Sequence, residues 1–87
     1  MSTSYQVEIE VEAARALARV PDPDRTRIAG RIAGLGDDPR PRGSTKLSGM
    51  GDTYRVRRGN YRIVYTIDDV LTIVSVTRIA QRGRSYR

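Results

Sequence analysis

Hydrophobic and polar residues alternate strictly at the start of the chain, and the period then lengthens to that of a helix. Residues 5–11 run Tyr-Gln-Val-Glu-Ile-Glu-Val, with an apolar side chain at every second position. This period of two predicts a half-buried β-strand. In the next stretch the spacing i, i+3, i+4, i+7 predicts one face of a helix. Its apolar members are Ala13, Ala16, Leu17 and Val20.

Two prolines separate this helix from a second one. Asp22 lies between Pro21 and Pro23 and is a favourable N-cap residue, while Pro23 suits the first helical position. The apolar stripe of the second helix consists of Ile28, Ile32 and Leu35. Gly36 and Pro39 follow it and are typical helix stop signals. The short connection predicts that the two helices form an αα-hairpin.

Three further apolar runs follow a polar loop at residues 37–45. The runs cover residues 53–58, 61–67 and 71–77. Gly59-Asn60 between the first two suits a two-residue hairpin loop, and Asp68-Asp69 suits a turn between the last two. The order predicts a single α+β domain over residues 1–87, a two-layer βααβββ architecture. The helices cover one face of an antiparallel meander sheet, and residues 78–87 form a basic tail.

The Gly59-Asn60 loop implies a register that sorts the side chains of the hairpin by face. It sets Arg57 opposite Arg62, and it brings both to the face of Arg55. With Asp68-Asp69 as the next loop, Arg62 also lies opposite Ser75. The other face collects the apolar residues Tyr54, Val56, Ile63, Tyr65, Val74 and Val76.

Three arginines on one sheet face are costly, since like charges placed opposite each other destabilise a sheet by up to about 1 kcal/mol. The cluster therefore indicates an anion site, because the planar guanidinium fork matches phosphate oxygens. A sheet face that is merely solvated is the alternative.

Positive charge is concentrated in the second half of the chain. The 87 residues hold 16 Lys and Arg against 10 Asp and Glu, a net charge of +6, and all but one of the cations are Arg. Residues 1–39 have five Arg and seven acids, whereas residues 40–87 have eleven cations and three acids. This asymmetry favours a polyanionic partner, such as nucleic acid or an acidic protein segment. A generally arginine-rich proteome is the alternative explanation.

The chain has no cysteine and no histidine. Disulfide scaffolds, zinc–thiolate sites, Cys or His nucleophiles and a His general base are therefore excluded. We expect no metal and no cofactor, and the Asp68-Asp69 pair is better explained as a turn than as a metal site. The start of the chain does not have the pattern of a signal peptide, and no stretch is long enough to span a bilayer. We expect a cytoplasmic protein with no membrane partner.

Several segments resemble the RelE family of toxins from type II toxin–antitoxin systems, within the RelE/ParE superfamily. They are Lys46-Leu47-x-Gly49-Met50, the run Tyr54-Arg-Val-Arg-Arg-Gly-Asn-Tyr61-Arg62-Ile-Val-Tyr65, Ile79-Ala80-x-Arg82 and a terminal Tyr86. The resemblance implies one RelE-like toxin domain that enters the ribosomal A site, cuts mRNA and so inhibits translation. It also implies a cognate antitoxin that neutralises the toxin, and binding of operator DNA together with that antitoxin.

The resemblance also implies functional residues. The catalytic candidates are Arg55, Arg57, Arg62, Arg82 and Tyr86. The RNA-binding candidates are Lys46, Arg58, Arg78, Arg84 and Arg87. The sequence departs from the family in two ways: the second-strand pair, often Lys in the family, is Arg55 and Arg57, and Gln81 stands where many members have His. No general base can be assigned from these residues.

Two other functions compete with the nuclease interpretation. One is a ParE-like inhibitor of DNA gyrase, which shares the fold without being a nuclease. The other is a non-enzymatic module whose basic face binds RNA or an acidic protein.

Overall fold

The computed structural model describes residues 4–49 and 51–81, which form two helices and five strands. The elements are β1 (Gln6–Ile9), α1 (Val11–Ala18), α2 (Asp24–Gly34), β2 (Thr45–Lys46), β3 (Thr53–Arg58), β4 (Tyr61–Asp68) and β5 (Ile73–Gln81). The predicted α+β class, with an αα-hairpin after the first strand, is confirmed. Neither helix combines the length and the apolar character that crossing a bilayer would require.

The strands form one mixed sheet in the order β1-β5-β4-β3-β2. Strands β2 to β5 pair antiparallel, so the predicted meander of β3, β4 and β5 is confirmed. The sheet differs from a purely antiparallel one because β1 runs parallel to β5. β4 pairs with one edge of β5 and β1 pairs with the other. At the start of β1 the backbone amide of Gln6 donates to the backbone carbonyl of Thr72 at 2.9 Å. The short β2, absent from the predicted elements, lies on the opposite edge of the sheet.

Both helices pack on the same face of the sheet. α1 contacts β5 and α2 contacts β3. The buried core between the layers contains Ala13, Val20, Ile28, Ile32, Leu35, Val56, Tyr61, Ile63, Tyr65, Ile67, Val74, Val76 and Ile79. The predicted apolar face of the strands is therefore the core face, with Tyr54 only partly buried against it.

α2 begins one residue later than predicted, with Pro23 and not Asp22 at the N-cap position, but Asp22 still stabilises the first turn. Its carboxylate accepts hydrogen bonds from the Thr26 amide at 3.2 Å and from the Thr26 hydroxyl at 2.7 Å. These bonds satisfy one of the free amide groups of the first helical turn. They also lower the pKa of the Asp22 carboxyl, chiefly through the Thr26 hydroxyl.

The β3–β4 hairpin has the predicted loop and register. Gly59 has a φ of +59°, which is the positive value that a type II′ turn requires at its first loop position. Arg57 pairs with Arg62, and Arg55 pairs with Val64. All the pairings expected from the Gly59-Asn60 loop are therefore confirmed.

The predicted register between β4 and β5 is wrong. Arg62 lies opposite Ala80, not Ser75, because the connection runs to Thr72 and is longer than two residues. A β-bulge also shifts the pairing between Val64 and Tyr65, with Thr77 as the additional residue on β5. β5 continues to Gln81. The predicted basic tail therefore does not begin at residue 78.

Candidate functional site

The sheet face that points away from the helices carries the arginine cluster. We call this the open face, and its residues at the hairpin end are Arg55, Arg57, Arg62, Val64, Arg78 and Ala80. In one row Arg57, Arg62 and Ala80 lie side by side, and in the next row Arg55, Val64 and Arg78 do so. Directly opposed residues in a sheet have Cβ atoms about 4.5–5.5 Å apart. Four guanidinium groups therefore extend from a small area of three adjacent strands.

The bulge in β5 is what brings Arg78 to the open face. Val74 and Val76 point into the core before it, and Ile79 does so after it, so the buried positions change from even to odd numbers. Thr77 absorbs the extra residue, and its hydroxyl donates to the Val64 carbonyl at 3.3 Å. Bulges commonly redirect a side chain in this way. The sequence contains a sign of this bulge, because the apolar residues Val74 and Val76 fall on even positions and Ile79 then falls on an odd one.

Three of the four arginines on the open face lack an acidic partner in the part of the chain that the structure describes. Arg55, Arg57 and Arg78 make no ion pair with any carboxylate in residues 4–49 and 51–81. Elsewhere in that part of the chain, Arg15, Arg25, Arg27, Arg40 and Lys46 each lie within 4.0 Å of an acid. The charges of these three arginines are therefore available to an external anion.

The open face is shallow beside the arginines. The hollow lined by Arg57, Arg62 and the hairpin loop has a volume of about 20 Å³, which is room for about one water molecule. A nucleotide would therefore lie across this surface and would not be enclosed by it. Such a surface supplies charge but little of the positioning that a deep pocket provides.

The remaining predicted residues lie elsewhere. Lys46 pairs with Tyr54 on the edge of the sheet, and Arg58 pairs with Tyr61, so by register both belong to the helix side and not to the open face. Arg58 instead lines a groove beside α2. Four candidates fall outside the described residues: Arg82, Arg84, Tyr86 and Arg87.

Sequence reasoning missed a second cluster, which is centred on Arg40 at the other end of the sheet. Its guanidinium donates to both carboxylate oxygens of Asp69, at 3.2 and 2.8 Å, and to the hydroxyl of Tyr54 at 3.0 Å. It also lies over the Tyr54 ring, 5.2 Å from the centroid. The Tyr5 hydroxyl donates to Asp69 at 2.6 Å. No local pattern could reveal this cluster, because its members come from four separate segments.

These hydrogen bonds change the acidity of the groups in the cluster. The Arg40 guanidinium holds the pKa of the Asp69 carboxyl below its usual range, and the Tyr5 hydroxyl adds to this effect. Donation to Asp69 raises the pKa of the Tyr5 hydroxyl. The cluster ties the loop before β2 to the β4–β5 connection and to the beginning of the chain. These contacts between separate segments indicate a structural role for the cluster.

Comparison with known proteins identifies the family. A family model described as the ParE toxin of type II toxin–antitoxin system, parDE, matches residues 7–86. The chain belongs to this toxin family. Within it, the chain is similar to Toxin RelE of Mycobacterium tuberculosis, with 36% identity over 84 residues that span 95% of this chain and 87% of that toxin. It is thus a type II toxin of the RelE kind, as the Tyr54–Tyr65 segment indicated, and RelE-family members are known as mRNA-cleaving toxins.

Solved structures agree with this assignment. The RelE–RelB complex from Pyrococcus horikoshii OT3 contains a chain with a TM-score of 0.82 and 30% identity, covering 93% of this chain and 98% of that one. The toxin–antitoxin complex RelBE2 from Mycobacterium tuberculosis gives a TM-score of 0.82 and 29% identity, covering 95% of this chain and 97% of that one. The mixed five-stranded sheet with two helices is therefore the RelE fold.

Proposed function

We propose that this RelE-type toxin is a metal-independent endoribonuclease that cuts mRNA on the ribosome and so stops translation. The observation that supports this proposal is the open face, where Arg55, Arg57, Arg62 and Arg78 converge. A surface with that charge suits the phosphate backbone of a single RNA strand. Work on ribosomes and mRNA requires the protein to act in the cytoplasm.

RNA can be cleaved without a metal when its own ribose supplies the nucleophile. The 2′-hydroxyl gives up its proton to a base as its oxygen attacks the adjacent phosphorus, the bond to the 5′-oxygen breaks, and the 5′-oxygen takes up a proton. The products are a 2′,3′-cyclic phosphate and a 5′-hydroxyl. Arg55, Arg57 and Arg62 would stabilise the extra negative charge of the phosphorane, and such electrostatic stabilisation is often the largest catalytic contribution.

The candidate residues are poorly suited to proton transfer. Arginine stays protonated in proteins, so Arg55 and Arg57 cannot serve as the base that lysine could supply. Arg82 would donate toward the leaving 5′-oxygen. Tyr86 would stack on a nucleobase of the mRNA or accept the proton of the 2′-hydroxyl. Alignment of the mRNA by the ribosome would compensate for the weak acid–base groups, since correct alignment alone can lower a barrier by several kcal/mol.

The catalytic proposal is tested by replacing Arg62 with alanine. We expect Arg62→Ala to reduce mRNA cleavage by about 10²–10³-fold, the usual cost of removing one donor to a developing oxyanion. Ribosome binding should fall far less, because one cation among many is lost. Cleavage is measured by translation in vitro followed by primer extension on the mRNA.

Arg15→Ala is the matched control, since it removes one exposed arginine from α1, on the opposite side of the sheet. It should leave the primer-extension stops unchanged. If Arg62→Ala produced wild-type stops, the assignment of Arg62 to the reaction would be wrong.

The partner we propose is an antitoxin with an acidic segment that covers the open face. Two similar toxin structures are complexes with antitoxins. Complementary charge should speed association and make it sensitive to salt. We therefore expect the association rate, measured by stopped-flow fluorescence, to fall as ionic strength rises. A rate that is independent of salt would contradict this mode of binding.

Inhibition of DNA gyrase is the second candidate, because the matching family model is described as a ParE toxin. The two activities leave different products. Ribosome-dependent stops within codons would support mRNA cleavage, whereas DNA breaks linked to topoisomerase would support the gyrase function. Translation extracts and a purified gyrase assay therefore decide between them.

A further inference from the structure

A basic groove lies on the helix side of the β3–β4 hairpin, separate from the Arg40 cluster. Arg27, Gly30 and Arg31 of α2, together with Arg57 and Arg58 of β3, line a groove of about 480 Å³. We call it the helix-side groove. Its volume is within the usual range for a ligand site, in contrast to the hollow of about 20 Å³ on the open face.

The groove is accessible because the outer edge of β3 is only partly covered. β2 pairs with Tyr54 and Arg55 and with no later residue of β3. Arg57 lies beyond that pairing, and it lines both the open-face hollow and the helix-side groove. The two basic surfaces are therefore continuous around the edge of the sheet.

The charges in the groove are weakly compensated. Arg27 has one acidic neighbour, Asp24, at 3.9 Å, and both side chains are about half exposed. Arg31 is partly buried and donates to the Arg42 carbonyl at 3.2 Å, a contact that orients it without neutralising it. Exposed pairs such as Arg27–Asp24 are usually worth less than about 1 kcal/mol and yield readily to a stronger anion.

Gly30 leaves the groove open on the α2 side. It lies inside α2, where glycine is about 1 kcal/mol less favourable than alanine. No neighbouring atom lies within 4 Å of the position that a Cβ would take, so packing does not require glycine. A side chain at this position would lie against the groove, so the absence of one leaves space for a ligand.

We propose that the helix-side groove binds the phosphates of a second stretch of RNA backbone, in continuity with the open face through Arg57. This inference rests on the proposed action on RNA and extends the site beyond the strand to be cut. All five lining residues are Arg or Gly, so the groove has no apolar anchor of the kind found at protein-binding hot spots. Nucleic-acid interfaces are polar and strongly positive. The composition therefore favours RNA over an acidic peptide.

The test is equilibrium binding of a fluorescent RNA oligonucleotide whose riboses are 2′-O-methylated, so that cleavage through the 2′-oxygen is impossible. Two pairs of variants are compared. Arg27→Gln is matched by Arg25→Gln, because each removes one arginine and one ion pair at spacing i,i+3 from the α2 region. Gly30→Glu is matched by Ala29→Glu, because it adds the same carboxylate at an exposed position of α2, turned about 100° around the helix from Gly30.

The two variants of each pair should differ in their affinity for the RNA oligonucleotide. We expect Arg27→Gln to weaken binding and to reduce the slope of log K against log salt concentration by about 0.7, the value for one phosphate contact with a single strand. Gly30→Glu should weaken binding by more than about tenfold, since a carboxylate would face the phosphates and pair with the arginines. Arg25→Gln and Ala29→Glu should stay within about twofold of wild type, because both positions lie on the side of α2 turned away from Arg27 and Arg31.

The proposal would be overturned if the two variants of each pair changed the affinity for RNA equally. It would also be overturned if Arg27→Gln and Gly30→Glu weakened binding of polyglutamate but not of RNA, since the groove would then be a peptide site. Thermal unfolding of the Glu variants confirms that they are folded, and Arg27→Gln remains informative if one is not. The assay contains no ribosomes and measures no cleavage, so a toxin that binds RNA here but cuts no mRNA would refute only the proposed nuclease function.

Discussion

At the scale of single residues, the arginines divide into those that hold the protein together and those that remain available. Arg40 is fully engaged, because it bonds to Asp69 and Tyr54 and lies over the Tyr54 ring. Arg55 and Arg57 have no carboxylate partner in the described residues. The same side chain therefore serves structure in one cluster and anion binding in the other.

The Arg40 cluster should make stability depend on acidic pH. The pKa of Asp69 is lowered in the folded protein, so its carboxylate stabilises the fold fully above the ordinary value of 3.8. That contribution is lost as the pH falls below 3.8 and through the lowered pKa. We expect Asp69→Asn to reduce the Tm at neutral pH, and we expect the difference from wild type to shrink on acidification below about pH 4.

Asp37→Asn is the control for this effect, since it removes an exposed carboxylate from the loop that follows α2. Its Tm difference from wild type should vary little over the same pH range. A difference for Asp69→Asn that is constant from neutral to acidic pH would show that the bond to Arg40 does not stabilise the fold. Thermal unfolding followed by circular dichroism provides the measurement.

At the scale of elements, β1 crosses very close to the turn that follows α2. The Tyr5 amide donates to the Gly36 carbonyl at 2.7 Å. A Cβ at Gly36 would lie 3.0 Å from the Tyr5 carbonyl oxygen and 3.3 Å from the Val7 side chain. Gly36 therefore does more than end the helix, because its missing side chain makes room for the parallel edge strand.

Gly36→Ala should be destabilising by roughly 1–3 kcal/mol, the usual cost of forcing extra atoms into a packed site. Gly34→Ala is the control, because a Cβ there has no neighbour within 4 Å. It should stabilise α2 by up to about 1 kcal/mol. Opposite shifts in Tm are therefore expected, on the order of 4–8 °C per kcal/mol for a domain of this size. A gain in stability for Gly36→Ala would contradict the proposed close approach.

At the scale of the whole molecule, charge is polarised across the sheet. The acids Glu8, Glu10 and Glu12 belong to β1 and the start of α1, whereas the arginines of the open face lie near the β3–β4 hairpin. The polarity favours one orientation of the toxin toward a polyanion, because the acidic edge is repelled while the basic end is attracted.

The purified toxin should cut free RNA slowly. The open face is shallow and the chain has no His or Cys, so the toxin by itself supplies charge but little alignment or acid–base chemistry. Cleavage of one labelled mRNA is measured with and without ribosomes, with Arg62→Ala as the control for contaminating nucleases. Rapid cleavage without ribosomes that disappears in Arg62→Ala would contradict ribosome dependence.

Local patterns in the sequence determined the helices, the β3–β4 hairpin and three of the arginines on the open face. Each depends on residues that are close along the chain. Gly59-Asn60 specifies its own turn, and the period of two then assigns Arg55, Arg57 and Arg62 to the face opposite the core. The family segment around this hairpin belongs to the same short stretch, and for that reason the toxin family could be inferred from the sequence.

Tertiary structure decided the features that join distant segments. The parallel pairing of β1 with β5, the Arg40–Asp69 contact and the helix-side groove each require segments at least 25 residues apart to meet. The position of Arg78 depends on the bulge at Thr77, which lets both Val76 and Ile79 reach one core. Such contacts depend on the packing of the whole core. Bringing remote segments together costs chain entropy, and that cost is offset only when the helices and the sheet pack against each other.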